Sequence, residues 1–473
     1  MTGMQDSANP NILLTIIGFA VFMATLDTSI INISLPTIAA SFGTDMASVS
    51  WIVMAYLLVL SGLMLACGKL GDLHGFRRVF IAGLVLFSLG SLLCGFAWNL
   101  GLLVAFRVLQ GTGAAAIGAI APAMITVCLP AGKRGWALGI LMTIVSVAIA
   151  SGPILGGFIT EYLGWNWVFF VNVPVGIVAV ILATRYLPDD SRPVTSGRFD
   201  TAGAVLALLA LFALLCPLNF GLYLGWTSPV VAGMFALSVL LFGIFVIHEQ
   251  RCECPLVDLR IFSSRNFLLG NVAGMLVLLA FAGSEFLLPF YFETVRGIST
   301  EVAGMLLAIP AITLMLAGPV AGTISDRHGP GGLMTAAALL SAATLYLFSW
   351  FGDTTAIPFI IVALVLEGLS VGLFMPPDMS LIMGSGSRES GGVASGVMMM
   401  LRNVGAMFGV AILGTIAMQG IPAAGPGTGM PVPGSGHPEY GIHAAFFFAA
   451  IVCLLVAAIS WTVRQQKTSP ADS

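Results

Sequence analysis

Fourteen long apolar stretches, separated by short polar connections, fill most of the chain, at roughly 12–34, 48–69, 79–97, 100–128, 137–160, 165–187, 200–217, 229–248, 266–291, 302–324, 332–351, 356–384, 392–420 and 441–463. A helix that crosses a bilayer needs about 20 such residues, so each stretch predicts one span. Threading the chain through these spans sorts its basic residues. Fifteen of the eighteen Lys and Arg fall at connections on one side, Arg296 alone falls opposite, and Arg107 and Arg402 lie inside spans. Cytoplasmic loops collect Lys and Arg, so both termini are expected in the cytoplasm. The first stretch has neither a charged leader nor a small-residue cleavage site, and is read as a retained span.

Composition agrees and narrows the classes. The 473 residues are 58% apolar and 8% charged, with a mean hydropathy of +1.03. A soluble domain carries about 25% charge, so the chain is an all-α polytopic membrane protein. No basic groove with interleaved aromatics occurs, which excludes nucleic acid as a partner. No Gly-rich Lys-Ser/Thr loop occurs, so ATP is not the expected energy source. Neither a His-rich cluster nor a nucleophile–base set stands in any loop, so no enzyme is expected. Cys67, Cys94, Cys128, Cys216 and Cys453 sit in spans as small apolar residues. Cys252 and Cys254 share a connection, but a metal there would need ligands that the sequence does not supply. No metal, cofactor or disulfide is expected.

The chain repeats itself. Gly68, Gly71, Asp72, His74 and Gly75 follow the second span, and Gly322, Asp326, His328 and Gly329 follow the tenth at a constant offset of 254 residues. Gly permits a left-handed turn there, and Asp suits the N-terminus of an adjacent helix. Six helices take roughly 190–200 residues, so the offset leaves room for one further pair. The organisation expected is a six-helix bundle over 12–187, a linker with two additional spans over 188–265, and a second six-helix bundle over 266–463. In transporters built from such repeats the substrate site lies between the halves. The segment 421–440, rich in Gly and Pro, reads as a flexible linker.

Charge inside a span costs about 2.5–3.5 kcal/mol and marks function by default. The candidates are Asp27, Arg107, Glu285, Glu367, Asp378 and Arg402. Asp27 and Arg107 lie about eight and seven residues below the outer ends of their spans, hence at similar depth. Such a pair can exchange partners when the carboxylate takes a proton. Glu285 stands near the position that Asp27 holds in the other half and has no basic residue in its span; it is read as a proton carrier or a site for a cationic substrate. Glu367 lies near mid-membrane. Pro376 and Pro377 are expected to break the helix before Asp378 and open a wet vestibule. Arg402 is placed to pair with Asp378 as a gate, which leaves a substrate role for Asp378 equally open. Phe286, Phe290, Tyr291, Phe374, Met375 and Met398–Met400 fit either a deformable pocket or ordinary packing.

Several motifs then carry a resemblance. Asp27, Asn32 and Pro36 in the first span, Trp51 and Tyr56 in the second, and the turn from Gly68 through Gly71, Asp72 and Gly75 to Arg77 and Arg78 occur in order. They are followed by Arg107, Gln110, Gly111 and Gly113; by Gly152, Pro153, Gly156 and Gly157; by Trp165, Trp167, Asn172, Pro174 and Gly176; and by Pro255, Asp258 and Arg260. Together these residues resemble the major facilitator superfamily, and within it the fourteen-span drug:proton antiporters of the EmrB/QacA subfamily. Asn166, Glu293 and Ala148 stand where that family often has Arg, Gln and Gly. The resemblance implies a major facilitator fold in a bacterial cytoplasmic membrane and efflux of amphipathic, often cationic, compounds in exchange for protons. It further supports proton coupling through Asp27 and Arg107, while the cost of intramembrane charge adds Glu285 to the coupling set and points to substrate contacts from Glu285, Glu367 and Asp378, with Phe286 and Tyr291 as candidate pocket residues. The Gly71–Asp72 turn with Arg77 and Arg78, its counterpart Asp326, the span-5 glycines and Arg402 would act in the conformational change. Some relatives work with a periplasmic adaptor, a question the sequence leaves open. The alternative reading is a proton-coupled transporter of a small metabolite or nutrient.

Overall fold

Segments that are apolar all round, rather than along one stripe, form helices that are buried on every side or face lipid. The computed structural model describes residues 10–44, 46–49, 51–188, 199–298, 300–385, 391–419 and 438–463. Among these, fourteen helices are long and apolar enough to cross a membrane. They are α1 (Pro10–Phe42), α2 (Trp51–His74), α3 (Phe76–Gly95), α4 (Leu100–Cys128), α5 (Ala131–Tyr162), α6 (Asn172–Tyr186, after a short helix Asn166–Phe170) and α7 (Thr201–Leu224). They continue with α8 (Pro229–Arg251), α9 (Arg265–Phe290), α10 (Thr300–His328), α11 (Pro330–Phe348), α12 (Ile357–Ser385), α13 (Gly391–Gln419) and α14 (Pro438–Trp461). This is the major facilitator fold, two six-helix halves with two extra central helices. Most of the 421–440 segment lies outside the described residues.

Two elements differ from the sequence reading. Helix α1 spans 33 residues, more than a bilayer requires, so one end extends past the apolar zone. Helix α12 runs unbroken through Pro376 and Pro377, both buried, and Asp378 after them is 0% exposed. The expected break and wet vestibule are absent at this point. Proline fixes φ near a helical value, so it removes hydrogen bonds without forbidding the helix, and packing inside the bundle holds the segment in line.

The matched turns join the halves. Gly75 and Gly329 adopt φ of 97° and 83°, the left-handed region that the tight reversals require. Just before the first turn, Asp72 on α2 accepts from the N–H groups of Gly392 and Val393 at 2.8 and 2.9 Å, capping the start of α13 in the other half. Asp326 on α10 likewise accepts from Gly135 and Trp136, the fifth and sixth residues of α5, at 3.0 Å each. Each carboxylate thus meets N–H groups near the positive end of a helix across the boundary. Glycine makes this approach feasible: a Cβ on Gly68 would stand 2.1 Å from Gly392 O, and one on Gly322 would stand 2.0 Å from Gly135 O. The α5–α10 seam continues through Gly139 against Gly318, and Thr143 Oγ1 donates to Met315 O at 2.8 Å. Among the described residues, the hydrogen bonds and glycine contacts between halves lie in the part of these helices nearest the matched turns.

The inserted pair sits outside this frame. Helix α8 packs mainly on α7, and α7 lies against α2 and α13. Leu58 on α2, Leu211 and Leu215 on α7, and Val404 and Ala411 on α13 form one small core. Asp200 caps α7, accepting from Gly203 N–H at 2.8 Å, and bonds to His248 at the end of α8. Burial alone would raise the Asp200 carboxyl, but the Gly203 N–H and His248 outweigh it and hold the group below the usual carboxylate range.

Candidate functional site

The first half buries a polar network at its centre. Asp27 on α1 and Arg107 on α4 are both 0% exposed, and Arg107 Nη1 donates to Asp27 Oδ2 at 2.5 Å. The other oxygen of Asp27 accepts from Gln110 Nε2 and from Asn172 Nδ2 on α6, each at 2.8 Å. Arg107 also donates through Nη1 to Gln110 Oε1 at 2.6 Å and through Nε to Ile52 O on α2 at 3.1 Å. Its guanidinium stacks 4.1 Å from the centre of the buried Tyr56 ring. Gln110 further donates to Ser91 Oγ on α3 at 2.8 Å. The network therefore touches every helix of the first half except α5. Among the described residues, Arg107 Nη2 is buried without a hydrogen-bond partner.

Equal depth in two spans foretold the Asp27–Arg107 contact. The cage of Gln110, Asn172 and Ser91 was not assigned a role from sequence. A signal existed, because an uncharged polar side chain deep in a span also needs a partner, and Gln110 follows Arg107 by one helical turn.

The second half holds two separate acidic sites. Arg402 Nη2 on α13 donates to Asp378 Oδ2 on α12 at 2.7 Å, both side chains being buried. Gly274 on α9 makes room for them: a Cβ there would lie 2.6 Å from Asp378 Oδ2. Of the two open readings, the structure gives Asp378 the ion pair with Arg402. Glu367 on α12 is 3% exposed and takes a hydrogen bond from Ser284 on α9, while Glu285 beside that serine is half-buried and within charge range of Glu367. Neither Glu285 Oε1 nor Glu367 Oε2 has a hydrogen-bond partner among the described residues. Glu367 also lines a cavity of about 10 Å³, together with Val277, Ala280, Phe281, Ser341 and Ser370. That is room for about one water.

The remaining candidates are placed as follows. Tyr291, in a single π turn after α9, is 1% exposed, donates to Gly352 O at 2.9 Å and packs on Phe351, which makes it a structural anchor in this conformation. Phe286 is half-buried against Phe290. Arg77 Nη2 donates to Thr184 O at the end of α6, at 2.5 Å, and Arg78 is exposed. Gly152 and Gly156 bring α5 onto α1, where their Cβ atoms would meet Ser29 and Ile30, whereas Gly157 faces open space. The side chain of Pro153 lies outside the described residues.

Two six-helix halves that bury opposed charges and share glycine seams are the architecture of a polytopic membrane transporter. The chain belongs to the Major Facilitator Superfamily, which it matches over residues 17–410. It is 34% identical to the riboflavin transporter RibZ of Clostridioides difficile (strain 630) over 414 residues, which are 87% of this chain and 89% of the relative. It is 33% identical to the tetracenomycin C resistance and export protein of Streptomyces glaucescens over 416 residues, covering 88% of this chain and 77% of that one. The human organic anion transporter MFSD10 (TETRAN) shares the fold with a TM-score of 0.71 at 16% identity, over 96% of this chain and all of that structure's chain.

Proposed function

We propose that the protein is a proton-coupled exporter of amphipathic, often cationic, compounds, of the fourteen-span drug:proton antiporter (EmrB/QacA) kind. One observation carries the reading. Among the described residues, each intramembrane arginine is bound by one acid, Arg107 by Asp27 and Arg402 by Asp378, which leaves Glu285 and Glu367 without a basic partner. Two neighbouring carboxylates in a low-dielectric site form a place for a cation or a proton. Protonation of Asp27 would cancel its charge and free Arg107, and the cage ties that event to α1, α2, α3, α4 and α6 together. The sided Lys and Arg distribution supports a cytoplasmic location for the termini and matched turns, and the proposed site of action is a bacterial inner membrane. The hydrogen-bonded seams at those turns then correspond to a state closed toward the cytoplasm. Similarity to an export and resistance protein supports the direction.

The test is a panel of cationic and neutral compounds in inverted vesicles with an imposed pH gradient. Glu285→Gln and Glu367→Gln are each expected to lower export of the cations several-fold more than that of the neutral compounds, at matched expression. Equal loss across both classes would assign these acids to coupling or packing. The similarity to RibZ favours a second reading, transport of a small metabolite, so riboflavin belongs in the panel. Gradient-dependent riboflavin movement with no dye efflux would select that reading.

The inserted pair is proposed to be peripheral to transport. Apolar-to-apolar substitutions along α8, which touches mainly α7, are expected to change expression and leave the substrate profile intact. A shifted profile from such a scan would place α8 on the substrate path.

A further inference from the structure

The ends of the inserted pair meet in a cluster that the transport reading does not use. Asp200, the residue before α7, accepts from His248 Nε2 near the end of α8, at 2.9 and 3.1 Å to its two oxygens. Cys252, just past α8, also donates to that carboxylate. One ligand atom from each of Asp200, His248 and Cys252 lies within 4.8 Å of the others. A further carboxylate faces Asp200. Glu249 is 4% exposed; its Oε2 accepts from Val257 N–H at 3.0 Å, while its Oε1 is buried with no hydrogen-bond partner among the described residues. That oxygen comes within 2.6 Å of the point where a Cβ on Gly203 would stand, and Asp200 Oδ2 comes within 2.4 Å of the same point. Glycine at 203 is what lets the two carboxylates face each other. A buried carboxylate oxygen left without a donor costs free energy unless something positive meets it.

We propose that Asp200, His248, Glu249 and Cys252 form a binding site for a divalent cation of the zinc type, which clips the start of α7 to the end of α8. The donor set selects the metal class. Calcium and magnesium take oxygen ligands, whereas imidazole and thiolate together with carboxylate suit zinc. Position supports it as well: three donors come from one helix end at 248, 249 and 252, and the fourth comes from a different helix. Ligands about 2.0–2.3 Å from a tetrahedral ion stand closer together than 4.8 Å, so the site draws in on loading. His248 and Cys252 are half-exposed side chains free to make that adjustment. Cys252 binds the ion as the thiolate and His248 as the neutral imidazole, with its ring proton on Nδ1, so loading releases the Cys252 thiol proton to solvent. Cys254, two residues further on, is not part of the cluster. Of these ligands Asp200 alone is remote in sequence, brought to Cys252 by folding across 52 positions of chain, whereas His248 and Glu249 precede Cys252 by four and three residues.

The experiment uses the full-length, tag-free protein in detergent under reducing conditions, stripped with a chelator and titrated with Zn²⁺ against a chromophoric competitor. One Zn²⁺ per chain is expected, with proton release and a higher melting temperature on loading. Cys252→Ser and His248→Gln should each weaken binding by at least about tenfold, the loss that even an outer-sphere partner brings. Cys254→Ser should bind as the native protein does. Size-exclusion elution and the melting temperature of the metal-free form show that each variant is folded. The proposal is overturned if the native protein takes up no stoichiometric zinc, or if either folded ligand variant binds as tightly as native. It is equally overturned if Cys254→Ser loses as much as Cys252→Ser, because the thiols of the connection alone would then hold the ion.

Discussion

Asp27→Asn is expected to bring gradient-driven transport to background while the protein still inserts and folds. The substitution keeps the shape of the side chain and removes its charge, leaving Arg107 at 0% exposure without an anion. Removing one partner of a buried pair costs about 3–5 kcal/mol, because the remaining charge is uncompensated. The melting temperature should therefore fall together with activity. Stability and coupling can be separated by a second variant. Asp27→Asn combined with Arg107→Met removes both charges, and should recover much of the lost stability while transport stays at background. A single variant that exports at the native rate under an imposed gradient would move coupling away from this pair. A double variant that regains transport would mean the pair serves only to order the helices.

The second large effect is expected at the glycine seams. Gly68→Ala and Gly322→Ala each set a Cβ about 2 Å from a backbone oxygen of the opposite half, and backbone cannot yield as a side-chain tip can. Relief requires the halves to part at the matched turns, which stretches the hydrogen bonds that Asp72 and Asp326 accept from α13 and α5. Overpacking of this kind costs about 1–3 kcal/mol, roughly 5–150-fold in the balance between the joined and parted arrangements. Transport at matched expression should fall by a comparable order. Gly233→Ala on α8 is the control: its Cβ would meet nothing within 4 Å, and it should transport near the native rate. If all three variants behave alike, close approach at the seams is not what limits the cycle.

The fourteen-helix fold was legible in the chain because lipid imposes a simple rule. Every backbone group must be satisfied within its own segment, so apolar length by itself predicts helices, and the fourteen stretches become fourteen helices. The repeat was legible for a related reason, since a reversal that needs positive φ admits little besides glycine, and Gly75 and Gly329 mark both turns. The cost of charge in hydrocarbon likewise singled out Asp27, Arg107, Glu285, Glu367, Asp378 and Arg402 before any coordinate was known.

Partnership was the part that sequence left undecided. Helix length fixes depth but not rotation, so the Asp27–Arg107 contact followed from depth, while Asn172, 145 residues away, joined it only through the packing of α6 on α1. Rotation also decided that Asp378 meets Arg402, that Glu367 meets Ser284, and that Tyr291 turns into the protein to anchor a loop. Pro376 and Pro377 differ from the sequence expectation for the same reason: local propensity predicts a break, and neighbouring helices on every side override it. Cys252 and His248 gained Asp200 as a neighbour because α7 and α8 form an antiparallel hairpin whose two ends close on each other. The solvent dictates which residues must be helical and which charges are costly; only the side-by-side packing of those helices determines which groups compensate one another.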